Sequence, residues 1–289
     1  MKLKSFLRFL VLLVLLSGCA PRRDLTFVSW SDTHFDAVPN RKDTTSLQII
    51  DKINHLKDRR YPDSLGGGKV GRLAFLVTVG DITGDGLGPQ WDSPDLPPSQ
   101  SYVQAMKSLD PAIRAYEVLG NHDYPSGGPV PGKIKAKYGR TYYAFDVQGV
   151  HFIVLDPYLK SGPEHLDFDD AQLAWVAADL KKAGPKTPVI LAMHNHPDPQ
   201  VLADVLRGYN VVLILHGHYH VSGHAQWNGI DVVVSGFSLW RLATPSWSLN
   251  PKWTPTFLVV RITNDRLTVI DFNWEKNAWG QVWVDKKIQ

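Results

Sequence analysis

The chain has 289 residues, enough for one large domain or two small ones; 44% hydrophobic against 20% charged residues excludes a disordered chain. A single cysteine excludes an intramolecular disulfide framework and a zinc site built of thiolates. Of the 31 Lys+Arg, three (Lys2, Lys4 and Arg8) lie in the first eighteen residues, leaving 28 against 28 Asp+Glu in the remainder, so there is no general electrostatic case for nucleic acid.

Residues 1–18 read as a secretory signal. A basic start precedes the apolar run from Phe9 to Leu16, which is too short for a permanent membrane-spanning helix of about 20 residues. Leu16-Ser17-Gly18-Cys19 resembles the bacterial lipobox, which implies that Cys19 becomes the lipid-carrying N-terminus and that residues 19–24 are its tether; the alternative is an ordinary signal peptide with an incidental cysteine. This address places the mature domain, residues 25–289, on a bacterial envelope membrane facing the periplasm. Pro21 and the absence of an Asp beside Cys19 favour the outer membrane in a Gram-negative cell.

Leu25 to Trp30 reads as a buried strand. Residues 45–59 carry Leu47, Ile50 and Ile53 at helical spacing. Leu73 to Val79 and Ile113 to Leu119 are further apolar strands, separated by a Gly- and Pro-rich loop at 84–98. Tyr142 to Val147 and Val150 to Leu155 form a hairpin around Gln148-Gly149, and residues 170–183 a helix. Val189 to Met193 and Val211 to Leu215 are buried strands, and short strands follow near 225–235, 256–262 and 266–274. Apolar strands without alternation imply sheets covered on both faces, and therefore a layered α/β domain with two sheets between helices.

The chemistry-bearing residues share one position, just beyond the C-terminal end of an apolar strand, where α/β sheets bind ligands. Five ends carry them: Asp32-Thr33-His34, Gly80-Asp81, Gly120-Asn121-His122-Asp123, His194-Asn195-His196, and Gly217-His218-Tyr219-His220. Oxygen and imidazole donors without thiolate suit Mn, Fe, Zn, Co or Ni. The spacing of Asp32/His34 and of His218/His220 predicts that each pair shares one side of extended backbone.

In this order, over about 190 residues, the set resembles the calcineurin-like metallophosphoesterases. The resemblance implies two mixed sheets sandwiched between helices in four layers, α/β/β/α. It also implies two divalent metal ions and hydrolysis of a small phosphomono- or phosphodiester by a metal-bound hydroxide. Carried over residue by residue, Asp32, His34 and His220 hold one metal, Asn121, His194 and His218 the other, and Asp81 bridges them. His194 is preferred to His196 because it directly follows its strand. His122 lies by the phosphate, as leaving-group acid or charge stabiliser. Asp123 either orients His122 through a hydrogen bond or only caps the turn. His216 and His224 read as structural. The alternative from another class is an envelope binding module with a non-catalytic metal site. Seven tryptophans (Trp227, Trp240, Trp247, Trp253, Trp274, Trp279 and Trp283) are read as packing rather than as a substrate wall, with Trp240 and Arg241 as candidate substrate contacts.

Overall fold

The computed structural model describes residues 23–35, 45–86, 88–124, 128–162, 165–195, 200–236 and 254–288. The signal segment, Cys19, His196, Trp240, Arg241, Trp247 and Trp253 lie outside them. The first sheet contains β1 (Asp24–Trp30), β2 (Phe75–Val79), β3 (Arg114–Val118), β10 (Thr256–Thr263), β11 (Arg266–Asn273) and β12 (Ala278–Lys287) in the order β12-β11-β10-β1-β2-β3. The second contains β4 (Tyr143–Val147), β5 (Val150–Val154), β6 (Val189–Ala192), β7 (Val211–His216), β8 (Gly223–Trp227) and β9 (Ile230–Val234) in the order β4-β5-β6-β7-β9-β8. Both sheets are mixed. β1, β2 and β3 run parallel beside an antiparallel β10–β12 meander, and β5, β6, β7 and β9 run parallel between antiparallel β4 and β8.

Three apolar layers hold this together. Between the sheets, Phe27 stacks on Phe75 at 4.6 Å and meets Phe152 of the other sheet edge-on at 5.4 Å. Such offset and T-shaped contacts suit the aromatic quadrupole. Outside the first sheet, Ile49, Ile50 and Ile53 of α1 (Thr45–His55) pack with Trp30 and Leu76; outside the second, Val176 and Leu180 of α5 (Asp170–Ala183) pack with Ile153 and Leu191. Every residue of β2, β5 and β7 is buried, as sheets covered on both faces require.

Some elements differ from the reading of the sequence. The helix predicted over 45–59 ends at His55 and tightens into a 3-10 turn over Leu56–Asp58. The loop at 84–98 contains the helical turn α2 (Gly88–Asp92). Three short helices were not expected: α3 (Tyr102–Met106), α4 (Val130–Tyr138) and α6 (Gln200–Leu206). Neither was β12, an edge strand largely open to solvent on both faces, whose sequence carries no sustained apolar signal. The tryptophans of this region that the structure describes serve packing: Trp274 is buried in the outer core, and Trp279 stacks on Tyr61 at 5.4 Å.

Candidate metal centre

The C-terminal ends of β1, β2 and β3 meet those of β6 and β7 across the seam between the sheets. Two groups of donors converge there: Asp32, His34, Asp81 and His220, and Asp81, His194 and His218. Within each group the donor atoms lie within 4.8 Å of one another. Asp81 belongs to both. Its Oδ2 is 3.1 Å from His194 Nε2 and 3.7 Å from His34 Nε2. His220 Nε2 is 3.1 Å from Asp32 Oδ1 and 3.3 Å from His34 Nε2. Asn121 joins the second group, with Oδ1 3.1 Å from His218 Nδ1. The structure thus brings together all seven predicted ligands.

Local backbone geometry makes this convergence. Asp32, His34, Asp81, His218 and His220 all have positive φ, between 41° and 70°. The expectation that Asp32/His34 and His218/His220 share a side of extended backbone is therefore corrected: each pair converges through left-handed residues. Gly80 is itself left-handed at φ 79°, whereas Gly120 is extended and is required for space. A Cβ on Gly120 would sit 2.2 Å from Asp81 Oδ1, and one on Gly217 would sit 2.6 Å from the Val79 carbonyl.

Two of the donors are aimed by the backbone. Val79 O accepts from His194 Nδ1 at 2.8 Å, so the Nδ1 proton is fixed and Nε2 is turned to Asp81. The amide of His218 donates to Asp32 Oδ2 at 3.1 Å, leaving Oδ1 directed inward. Asp32 Oδ1 and His194 Nε2 are both buried without a hydrogen bond of proper geometry. Orphaned inward-facing donors of this kind fit cations better than they fit one another.

The electrostatics agree. Burial pulls His34 down to about 4, which keeps it in the neutral, ligating form. Burial also opposes charge on His194, but Asp81 and then Asp32 outweigh it and raise the imidazole to about 9. Burial likewise opposes the Asp81 carboxylate, yet His194 and His34 hold its pKa well below the usual range. The carboxylates therefore call for positive charge at this spot, and a cation can replace the proton on His194.

His122 lies beside these groups, its ring 4.8 Å from that of His34. Its Nδ1 donates to Gly84 O at 2.9 Å, so Nε2 is the atom left for a substrate. Its amide donates to Asp81 Oδ1 at 2.9 Å. Asp123 does not meet the His122 ring. Its carboxylate accepts from the amides of Gly120 (2.9 Å), Ile82 (3.2 Å) and Thr83 (2.8 Å) and from the Thr83 hydroxyl (2.9 Å), tying the loop after β3 to the loop after β2. Burial and Asp81 raise Asp123 to about 6. Of the two readings for this residue, the geometry is that of a turn cap. His216 donates to Met193 O and His224 pairs with Asp231, both structural contacts.

The sequence analysis passed over Tyr158 and Tyr219. Tyr158, buried beyond the end of β5, brings its hydroxyl 3.5 Å from Asn121 Oδ1. Tyr219, half exposed between two ligands, donates to Asn195 Oδ1 at 3.3 Å. The strand-end rule that found the ligands applies equally to Leu155-Asp156-Pro157-Tyr158, and would have found the first of these.

A family profile described as calcineurin-like phosphoesterase matches residues 25–222, the stretch that supplies every ligand above. The chain belongs to the calcineurin-like phosphoesterase family. Relatives in this family include a probable cyclic nucleotide phosphodiesterase of Rhodococcus erythropolis (strain PR4 / NBRC 100887), 28% identical over 236 residues, covering 74% of this chain and 71% of that protein. A cAMP/cGMP dual specificity phosphodiesterase of Mycobacterium tuberculosis (strain CDC 1551 / Oshkosh) is 36% identical over 103 residues, but the match covers 31% of this chain and 32% of that protein. The human serine/threonine-protein phosphatase CPPED1 is 25% identical over 185 residues, 56% of this chain and 58% of that one. Among solved structures, GAP50, described as the anchor in the inner membrane complex of Plasmodium, has a TM-score of 0.60 at 15% identity over 92% of this chain and 90% of that chain, a likeness of fold.

Proposed function

We propose that the protein is a dinuclear, metal-dependent phosphodiesterase of the bacterial envelope, held to its membrane by lipid on Cys19. The observation that carries the catalytic part is Asp81, shared by two donor groups whose remaining members follow β1, β6 and β7. Asp32, His34, Asp81 and His220 would hold one divalent ion, and Asp81, Asn121, His194 and His218 the other. Two such ions supply positive charge to the phosphoryl oxygens and lower the pKa of the attacking water. Asp81, common to both groups, would share its negative charge between the two positions.

The chain's own residues do the rest. His122, with Nδ1 pinned to Gly84 O, presents Nε2 toward the substrate. In its protonated state it gives that proton to the departing oxygen. Asp123 holds the loops that carry Asp81 and His122 in register. The diester preference is supported by the names of the two bacterial relatives, which point to cyclic nucleotides as the first substrates to try.

The test is hydrolysis of an aryl phosphodiester, the matching monoester and 3′,5′-cyclic AMP, with Mn²⁺ and after EDTA. EDTA-sensitive turnover of the diesters above the monoester supports the proposal. Turnover that survives EDTA removes the metal-dependent reading. A monoester preference reverses the substrate branch, and two bound metals with no turnover leave the binding module.

A further inference from the structure

β1 runs from Asp24 to Trp30 and delivers Asp32 and His34 at its far end, about 23 Å from its start at ~3.3 Å per residue. The chain therefore enters this molecule at the end opposite the metal centre. Cys19 precedes Asp24 by five residues, a reach of at most about 18 Å when fully extended. A lipid on Cys19 thus holds the entry end of the sheets next to the bilayer.

That end is cationic. Lys69 and Arg72 lie on the segment leading into β2, Arg114 begins β3, Lys186 precedes β6 and Lys287 closes β12. All five are exposed, and none has an ion-pair partner among the described residues. Of the acids at the same end, Asp24 pairs with Arg261 at 2.8 Å, Asp110 with Lys57 at 3.1 Å, Asp231 with Lys286 and Asp285 with Arg266, whereas Asp146 meets only His151 at 2.8 Å and Asp58 and Asp63 are exposed. Asp265 accepts the Thr263 hydroxyl. Lys69 and Arg72 also border, with Gln148 and the Arg261-paired Asp24, a cavity of about 390 Å³, large enough for a phosphate headgroup.

We propose that this end docks on the anionic phospholipid surface of the membrane that holds Cys19, aiming the metal centre away from the bilayer. The inference rests on the proposed lipidation. Unpaired cations gain from an anionic leaflet only within a Debye length of ~8 Å, and a tether of at most about 18 Å lets them reach that range. A consequence for the chemistry follows. The centre faces the aqueous side, so the substrates are soluble phosphoesters and not phospholipids within the leaflet.

The experiment uses the full lipidated chain in phosphatidylethanolamine vesicles, with or without phosphatidylglycerol, doped with a headgroup nitroxide lipid. One reporter cysteine replaces Ala112 at the entry end, another Leu159 beside the metal centre; both positions are exposed. Stronger quenching at position 112 than at 159, with the difference enlarged by phosphatidylglycerol, is the expected result. Equal quenching in a chain that still sediments with membranes overturns the docking. The combined substitution Lys69→Glu, Arg72→Glu and Arg114→Glu should erase the enlargement by phosphatidylglycerol while leaving turnover intact. Anchoring is read separately, since Cys19→Ser should release the chain from membranes of the producing cell. If it stays bound there, either the lipid reading fails or the cationic end is a second anchor. Docking is then decided by capture of that same variant on phosphatidylglycerol vesicles, which the charge reversals should weaken by at least about tenfold; no capture overturns it.

Discussion

At the scale of single residues, the metal centre stores backbone strain. Eight non-glycine residues among those described have positive φ, and five of them are proposed ligands; the other three (Gln148, Asn228 and Asn277) occupy turns between strands. Left-handed conformations cost of order 1–3 kcal/mol at bulky residues and persist where the surroundings enforce them. Here hydrogen bonds to Gly80 O, Asp81 O and Asp32 Oδ2 supply that enforcement. Two substitutions separate the roles. Asp81→Asn should lose at least one metal and more activity than the roughly 10–100-fold typical of losing an outer-shell partner; full activity with two metals by elemental analysis removes the bridging role. His122→Ala should lower kcat by about 10²–10⁴-fold with metal content unchanged, because its Nδ1 is bonded to Gly84 O and its ring, though edge-on to His34, belongs to neither donor group; loss of metal would make it a ligand instead. The convergence of these donors was legible in the sequence because each is a polar residue just beyond an apolar strand. The role of Asp123 was not, because its partners Ile82 and Thr83 lie about forty residues earlier in the chain.

At the scale of elements, legibility followed burial. β2, β5 and β7 announce themselves as unbroken apolar runs because sheets cover both their faces. α2 and α3 are single turns of five residues, shorter than the window in which helical periodicity can be seen. β12 forms because β11 offers it a ladder, and its side chains remain mostly outside the core. β11 also carries an ionisable group whose cost can be measured. Burial raises Asp271 to about 6, although the Ser222 hydroxyl donates to it at 3.1 Å. The folded state therefore holds this proton more tightly than the unfolded chain, whose carboxyl has its ordinary value of 3.8. Its contribution to stability is full below about pH 4 and is lost as pH rises through 6. Asp271→Asn should stabilise the protein by about 2–3 kcal/mol at pH 8 relative to wild type and change little at pH 4, read from denaturant midpoints. A constant difference across this range would contradict the shift.

For the whole molecule, the two sheets meet at the metal centre from opposite sides, so the centre couples them. Asp32, His34 and Asp81 belong to the first sheet, and His194, His218 and His220 to the second. Ligands that bind only the folded state stabilise it by mass action. Mn²⁺ at a hundredfold excess over its dissociation constant should add about 2.7 kcal/mol, and EDTA should lower Tm; a Tm unmoved by either would mean the donors do not share a cation.

The sequence by itself determined the layers, the family and the list of candidate ligands, because each of these is written in local pattern: apolar runs, glycines, and polar residues at strand ends. Only the tertiary structure decided how the ligands divide around Asp81, which ring nitrogen of His122 and His194 is turned inward, and that the entry end opposite the centre is cationic. Those depend on which strands become neighbours and on hydrogen bonds spanning a hundred residues or more, such as His194 to Val79 O. Chain order alone does not encode them, since the same local motifs fit more than one arrangement until the inter-sheet core selects one.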